Sequence, residues 1–390
     1  MTLRSQRLMR LCVELVLLTA ACSSLAIAFM SAVRGGPLND FEMLYGSGRA
    51  VLTGHDWYFY SNWIGTHNLN SPPAVLLLAP LALLPIRAAL VLWLVVGVVA
   101  IVAASALIAR EVAPGFGMLI GSAIVASGAG FANLGAGQIA WPLVWAATVA
   151  WVETRRGHVR TGGFVAGVLM TVKPFFLVFV PYFVVRRQWR PLAAALASGA
   201  IASMMAFLVG GVGAYQSWLA SLRTAPSYSH FLNASVMALV TRALSGEAST
   251  FVPMRVAPFL IFPVWVVAVA ALVGVAAWRF WRTPDLDGEW SAVLLIALLA
   301  SPIGWLYYVT TAAGPITAIA RRSRYAASIV TSGVALLTMP YVLVFGAART
   351  AIGTLTIGSA FFWGVALLFC SAVGAAWNTR APSAIDAAID

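Results

Sequence analysis

Apolar runs recur from residue 11 to residue 377 of this 390-residue chain, and short arginine clusters stand between them. That alternation constrains the fold more than any motif does. Stretches such as 11–33 and 88–109 match the roughly 20 apolar residues that cross a bilayer. With 61% hydrophobic and only 9% charged residues, little polar sequence is left for a soluble domain. The expected fold class is an all-α polytopic membrane protein, one integral-membrane domain over residues 1–390. The alternating apolar–polar pattern of an outer-membrane barrel is absent. Cys12, Cys22 and Cys370 lie within apolar runs and imply no disulfide framework. "LTAACSS" around Cys22 resembles a lipoprotein cleavage box faintly, but the run at 11–33 is too long for a signal h-region.

The formal net charge of +12 is distributed as the positive-inside rule requires, at the ends of spans, so nucleic acid is not an expected partner. Arg4, Arg7 and Arg10 place the N-terminus in the cytoplasm. Residues 34–71 then form a large outer loop, and "SPPAVLLLAPLALLP" at 71–85 is too short and proline-rich to cross, so it dips into the outer leaflet. Residues 88–109 return to Arg110. Pairs of legs follow at 116–134 and 139–152, and at 161–173 and 174–185, before 191–211 leads to a second outer loop at 212–253. Segments 255–278, 290–301, 303–320, 326–346 and 351–377 complete about twelve transmembrane helices, with a cytoplasmic tail at 378–390. Several legs hold only about 12 to 14 residues, short for a crossing. Short legs meeting at an apex leave a cavity that faces outward.

Polar chemistry gathers on that outer face. "LNDFEMLYGSGRAVLTGHDWYFY" at 38–60 holds Asp40, Glu42, His55 and Asp56, in a chain with only 12 acidic residues and 4 histidines. "LGAGQ" ends at Gln138, "TVKPFF" turns at Lys173-Pro174, and "SPIGWLYY" carries Trp305, Tyr307 and Tyr308. Lys173 is the only lysine among 24 lysines and arginines. An ammonium at membrane depth is costly unless paired, which marks Lys173 as a site residue; the bland alternative is snorkelling to the interface. Arg242, in "NASVMALVTRAL", is the second candidate cation. A carboxylate at the rim of an outward cavity, with cations to receive a phosphate, suits sugar transfer from a lipid-phosphate carrier to a hydroxyl.

Six landmarks in order carry a resemblance. "DFEMLYGSGRAVLTGHDWYF", "SPPAVLLLAPLALLP", "GQ", "AGVLMTVKPFFLVFVPYFVVRRQWR", "NASVMALVTR" and "SPIGWLYY" resemble glycosyltransferase family 87 from about residue 38 to residue 310. That family includes polyprenyl-phosphate-mannose-dependent mannosyltransferases and related arabinosyltransferases of the GT-C superfamily. The resemblance implies an inverting transferase without a cofactor. The donor would be a polyprenyl-phosphate sugar, carrying a hexose such as mannose or a pentose, and the acceptor a glycolipid or polysaccharide of the cell envelope. It implies a bacterial inner-membrane location with the active site on the extracytoplasmic side. Asp40 takes the role of general base, while Lys173, Asn233, Ser235 and Arg242 line the donor or acceptor pocket; Gln138, Trp305, Tyr307 and Tyr308 join them as candidate substrate contacts. Ile139-Ala140 after the "GQ" pair, Asn70-Ser71 before the prolines and Tyr307-Tyr308 after the "SP..W" turn depart from the family's usual residues.

Each candidate has a plainer role beside it. Asp40 is also a good cap for a helix starting at Phe41. Glu42 suits a solvated first-turn acid, and Asp56 a turn residue after Gly54. His55, His67 and His230 lack metal-ligand spacing, so no metal is expected. Trp57, Tyr58, Tyr60 and Trp63 read as an interfacial belt, and Glu14 in the first span as paired with a neighbouring helix. The alternative function is transport of a lipid-linked sugar, since short Gly/Pro-broken helices also occur in transporters. No inverted repeat is visible, and the polar groups gather on one face instead of lining a path through. A third possibility is a catalytically silent subunit that binds a lipid glycan.

Overall fold

A computed structural model describes residues 3–36, 40–61, 67–223, 228–245 and 251–374. The expected tail at 378–390, Asn39 and Trp63 lie outside the described residues. Among those described, the structure is helical throughout, with isolated β-bridges only. The chain divides into two compact units, residues 1–227 and 228–390.

The first unit opens with α1 (Leu3–Arg34), α2 (Asp40–Thr53) and α3 (Pro72–Leu78), which runs on as a 3-10 turn at Ala79–Leu83. Then come α4 (Ile86–Val112), α5 (Gly117–Ala126), α6 (Gly128–Ala136), α7 (Ala140–Arg155) and α8 (Val159–Val172). A 3-10 turn at Pro174–Val178 leads to α9 (Phe179–Val185) and α10 (Trp189–Arg223). Local chemistry sets the ends. Pro72 and Pro73 occupy the first turn of α3, where no intrahelical N–H is needed. Ser127 caps α6 by accepting from the Gly130 N–H at 3.0 Å. Pro174 disfavours helical backbone at the residue before it, so Lys173 is extended and α8 stops at Val172. Gly163 and Gly167 of α8 bring it against Pro191 and Ala195 of α10, where any Cβ would collide with backbone. Trp141 and Trp151 of α7 are fully buried. Trp57 and Tyr58 are also buried; they pack with Val75, Ala206 and Ala214 and are core residues instead of an interfacial belt. Asp56 accepts from the Tyr58 N–H and from Ser217 Oγ, both at 3.0 Å, and so pins that turn to α10.

The second unit contains α11 (Val236–Leu244), α12 (Ile261–Arg282), α13 (Leu286–Ala300), α14 (Ala313–Ala320), α15 (Arg324–Leu337), α16 (Tyr341–Ala347), α17 (Ala351–Leu355) and α18 (Ala360–Gly374). Helix α13 is buried along nearly its whole length. Its start is clamped by Arg322, which donates to Asp285 and, at 2.9 Å, to Asp287. Both Arg322 hydrogen bonds and its charge hold the Asp285 carboxyl below its ordinary value, against the opposing effect of burial.

Among the described residues, five helices are long and apolar enough to cross a membrane, and up to seven if each bent pair counts as one span. The five are Leu11–Arg34, Ile86–Val112, Trp189–Arg223, Pro258–Arg282 and Ala351–Gly374. The bent pairs are α5 with α6, at 62°, and α15 with α16, at 80°. A count of about twelve crossings is therefore not confirmed among the described residues. The legs expected at 139–152, 161–173 and 174–185 become α7 with 16 residues, α8 with 14 and a 3-10 turn followed by the seven-residue α9. Each is short of the roughly 20 residues a crossing needs. The expected end of a leg at 211 coincides with a break, since Gly211 has φ 61° and ψ −167° inside α10, but helix resumes beyond it to Arg223. Almost none of α1 or of the Pro258–Arg282 span is buried within the protein, so their apolar faces are left for lipid.

Candidate active site

Asp40, Gln138 and Lys173 come together in the first unit. Asp40 stands in the first turn of α2, half-buried, and its Oδ2 accepts a 2.6 Å hydrogen bond from Gln138 Nε2, 98 residues away. A bond this short is in keeping with a carboxylate acceptor. Gln138 is presented by the turn that ends α6. There Gly137 takes the left-handed conformation, φ 64°, and its N–H closes the helix on Asn133 and Leu134. A side chain at Gly137 would also stand 2.7 Å from Phe41 Cβ, so glycine lets this turn lie directly against the residue after Asp40. Trp93 Nε1 donates to the Gly137 carbonyl at 3.1 Å and fixes the turn from α4.

Burial pushes the Asp40 carboxyl above its ordinary value, while the Gln138 hydrogen bond and the Lys173 charge pull it back. A carboxylate partly stripped of water, whose ionised form an amide and a cation favour, is chemically suited to accept a proton. Glu42, two residues on, is exposed and makes a solvated first-turn acid. Lys173 is buried at the apex between α8 and the turn beginning at Pro174.

Several supporting residues were given no part in the site by the sequence analysis. Ser71 Oγ donates to the carbonyl of Thr171, with a longer contact of 3.3 Å to that of Val172, and so ties the entry of α3 to the last turn before Lys173. Asn68 donates to Ser47 Oγ of α2 at 2.9 Å, and its Oδ1 receives the Asn70 backbone N–H at 2.9 Å and side-chain amide at 2.7 Å. Tyr58 OH closes on the Asn70 carbonyl at 2.8 Å. The run "NLNSPP" is thus a buried polar strap between α2 and the Lys173 turn. Its signal in the sequence was two asparagines and a serine beside a proline pair amid apolar residues.

The remaining candidates lie in the second unit and form a knot of their own. Asn233 Nδ2 donates to the carbonyls of Tyr228 and Pro302, both at 3.0 Å, and its Oδ1 accepts from the N–H of Gly304 at 2.9 Å and of Ser235 at 3.2 Å. Ser235 caps α11 through Ala238 N–H at 3.1 Å. Arg242, 1% exposed, donates through Nε to Ser359 Oγ at 3.0 Å and through Nη1 to the carbonyls of His230 and Asn233, both at 3.1 Å. These guanidinium donors are committed to the protein itself. Tyr307 and Tyr308 are buried, whereas Trp305 is half-buried, with the His230 ring edge-on at 5.3 Å and Tyr307 stacked at 6.3 Å. Burial, followed by the Arg242 charge, lowers His230 to about 4, and its Nδ1 accepts the Leu232 N–H at 3.2 Å. Among the described residues, no three His, Cys, Asp or Glu side chains gather as a metal-binding group.

The chain is similar in structure to ArnT from Cupriavidus metallidurans bound to undecaprenyl phosphate, with 14% identity and a TM-score of 0.41 over 91% of this chain and 77% of that one. The apo structure of the same protein gives 14% identity and a TM-score of 0.38 over 92% and 77%. No curated protein matches the chain. The family model of glycosyltransferase family 87 matches residues 68–302, more than half of the sequence, and spans Gln138, the Lys173 turn and the Asn233–Arg242 segment. The chain belongs to glycosyltransferase family 87.

Proposed function

We propose that this membrane glycosyltransferase moves a sugar, a hexose such as mannose or a pentose, from a polyprenyl-phosphate carrier to a hydroxyl of a glycolipid or polysaccharide acceptor, with inversion. The observation that carries the proposal is the half-buried Asp40 carboxylate, hydrogen-bonded to Gln138 and within the field of Lys173. In the reaction the acceptor oxygen forms a bond to the anomeric carbon while its proton passes to the Asp40 carboxylate. The bond from that carbon to the phosphate oxygen breaks, and polyprenyl phosphate leaves with the electron pair. Gln138 holds Asp40 in place and in its ionised form. Lys173 takes the donor phosphate, binding it in the ground state and more strongly as charge accumulates on the leaving oxygen.

In the second unit Trp305 is the residue assigned to sugar contact, because its ring is the half-open member of an otherwise buried aromatic set. Arg242, Asn233 and Ser235 shape the loop beside it, and Tyr307 and Tyr308 form the aromatic floor. The protein acts in a bacterial inner membrane, with this chemistry on the extracytoplasmic face, as the arginine distribution indicates. The test is sugar transfer by purified protein supplied with a panel of polyprenyl-phosphate sugars and lipid-linked acceptors. Transfer from one donor, abolished in Asp40→Asn, is the expected result. Movement of intact lipid-linked sugar across vesicles without transfer would replace this proposal with transport.

A further inference from the structure

Two buried polar atoms beside the Gln138 turn have no hydrogen-bond partner: Asn133 Oδ1 and Trp141 Nε1. Their residues are 4% and 1% exposed, so bulk water does not satisfy them. Both residues line a cavity of about 10 Å³ whose wall also includes Gln138. A space of that order holds about one water molecule where polar atoms are there to receive it, and in this mostly apolar wall Asn133 and Trp141 supply them. An indole N–H only donates and an amide oxygen only accepts, so one water complements the pair, receiving a hydrogen bond from Trp141 and giving one to Asn133. The indole is admitted at this place because position 97 carries no side chain; a Cβ there would stand 2.9 Å from Trp141 Cε3.

We infer that Asn133 and Trp141 bind a single water molecule behind Gln138, and that this water holds the turn in the shape that aims Gln138 at Asp40. The backbone of the turn is already pinned at two points, by the Gln138 N–H to the Asn133 carbonyl at 3.2 Å and by Trp93 to Gly137. The water links the side chains on either end of it, from the last turns of α6 to the first of α7. Asn133 and Trp141 are positioning residues, acting on Asp40 only through Gln138. Besides the Gln138 amide, the Lys173 charge acts on Asp40.

The catalytic consequence rests on the function proposed above, but the water site does not. A high-resolution map of the full chain in lipid nanodiscs is expected to show density within hydrogen-bond distance of both Trp141 Nε1 and Asn133 Oδ1, lost in Trp141→Phe. Thermal unfolding of Trp141→Phe, Asn133→Leu and the double variant tests the link between them. Each single change should lower Tm by about 2–4 °C, and the double by no more than one of them. A clear map without that density, or losses that simply add, would overturn the water site. In the transfer assay, Trp141→Phe should move the acid limb of the pH profile upward with acceptor KM unchanged. An unmoved limb would overturn the positioning role. If the protein transfers no sugar from any donor, the proposed function fails, while the map and the unfolding cycle still decide the water.

Discussion

Asp40 is the residue on which the proposed chemistry turns. As general base it works only when ionised, so burial, which raises its pKa, moves the acid limb of the reaction upward from the ordinary carboxylate range. The Gln138 hydrogen bond opposes that shift. Gln138→Leu should therefore move the acid limb further up while leaving the rate at high pH largely intact. The linkage to stability has a fixed sign. A raised folded-state pKa means that the contribution of Asp40 is fully present below its unfolded value and is lost as pH rises through the folded one. Asp40→Asn should lower turnover by about two orders of magnitude or more, measured with both substrates saturating, whereas Glu42→Gln should do little. His230, held near 4, stays neutral across the working range and should contribute no limb of its own. Lys173→Met should raise donor KM and lower kcat together, and Lys173→Arg should restore only part, because a planar fork does not replace a compact ammonium at a tight turn. An unchanged donor KM and kcat would leave Lys173 a snorkelling lysine.

At the scale of elements, the site depends on where helices stop. Pro174 stops α8 and sets Lys173 in extended backbone, while Gly137 stops α6 and presents Gln138. Gly137→Ala places a methyl group in the left-handed region and against Phe41, so a loss of about 1–2 kcal/mol from backbone strain alone is expected, before the clash. Thermal unfolding checks the stability loss, and an upward move of the acid limb checks the displacement of Gln138. Proline and glycine made both stops visible in the sequence. The Ser71 tie to the Lys173 turn was not visible, since its partners are backbone carbonyls 100 and 101 residues away, and a carbonyl has no sequence signature.

For the whole molecule, the proposed sidedness is open to direct test. In a variant lacking Cys12, Cys22 and Cys370, His55→Cys should react with an impermeant thiol reagent in intact cells and Arg160→Cys should not. Both positions are exposed, so access depends on the side of the membrane and not on burial. Protection at 55 would place α2 and Asp40 on the inner face and overturn the extracytoplasmic assignment. The crossing count has a physical lesson as well. Basic clusters mark where the chain reaches the aqueous boundary, but they do not reveal whether the stretch between two of them is long enough to traverse the bilayer. Helices α7 and α8 are apolar, yet most of α7 is buried within the protein, and an apolar sequence is equally satisfied by lipid or by neighbouring helices.

The sequence by itself determined the solvent this protein needs, the helical class that follows from it, and the residue types that are costly there. A lone lysine, a carboxylate beside an apolar span and a glutamine after glycine stand out because each is expensive to bury. Only the tertiary structure decided which of them meet. Asp40 pairs with Gln138 across 98 residues, while Arg242, equally conspicuous in the sequence, directs its donors to Ser359 and to the carbonyls of its own unit. A charge or an amide announces that it must have a partner; which partner it finds depends on how separate helices pack, and no local pattern encodes that.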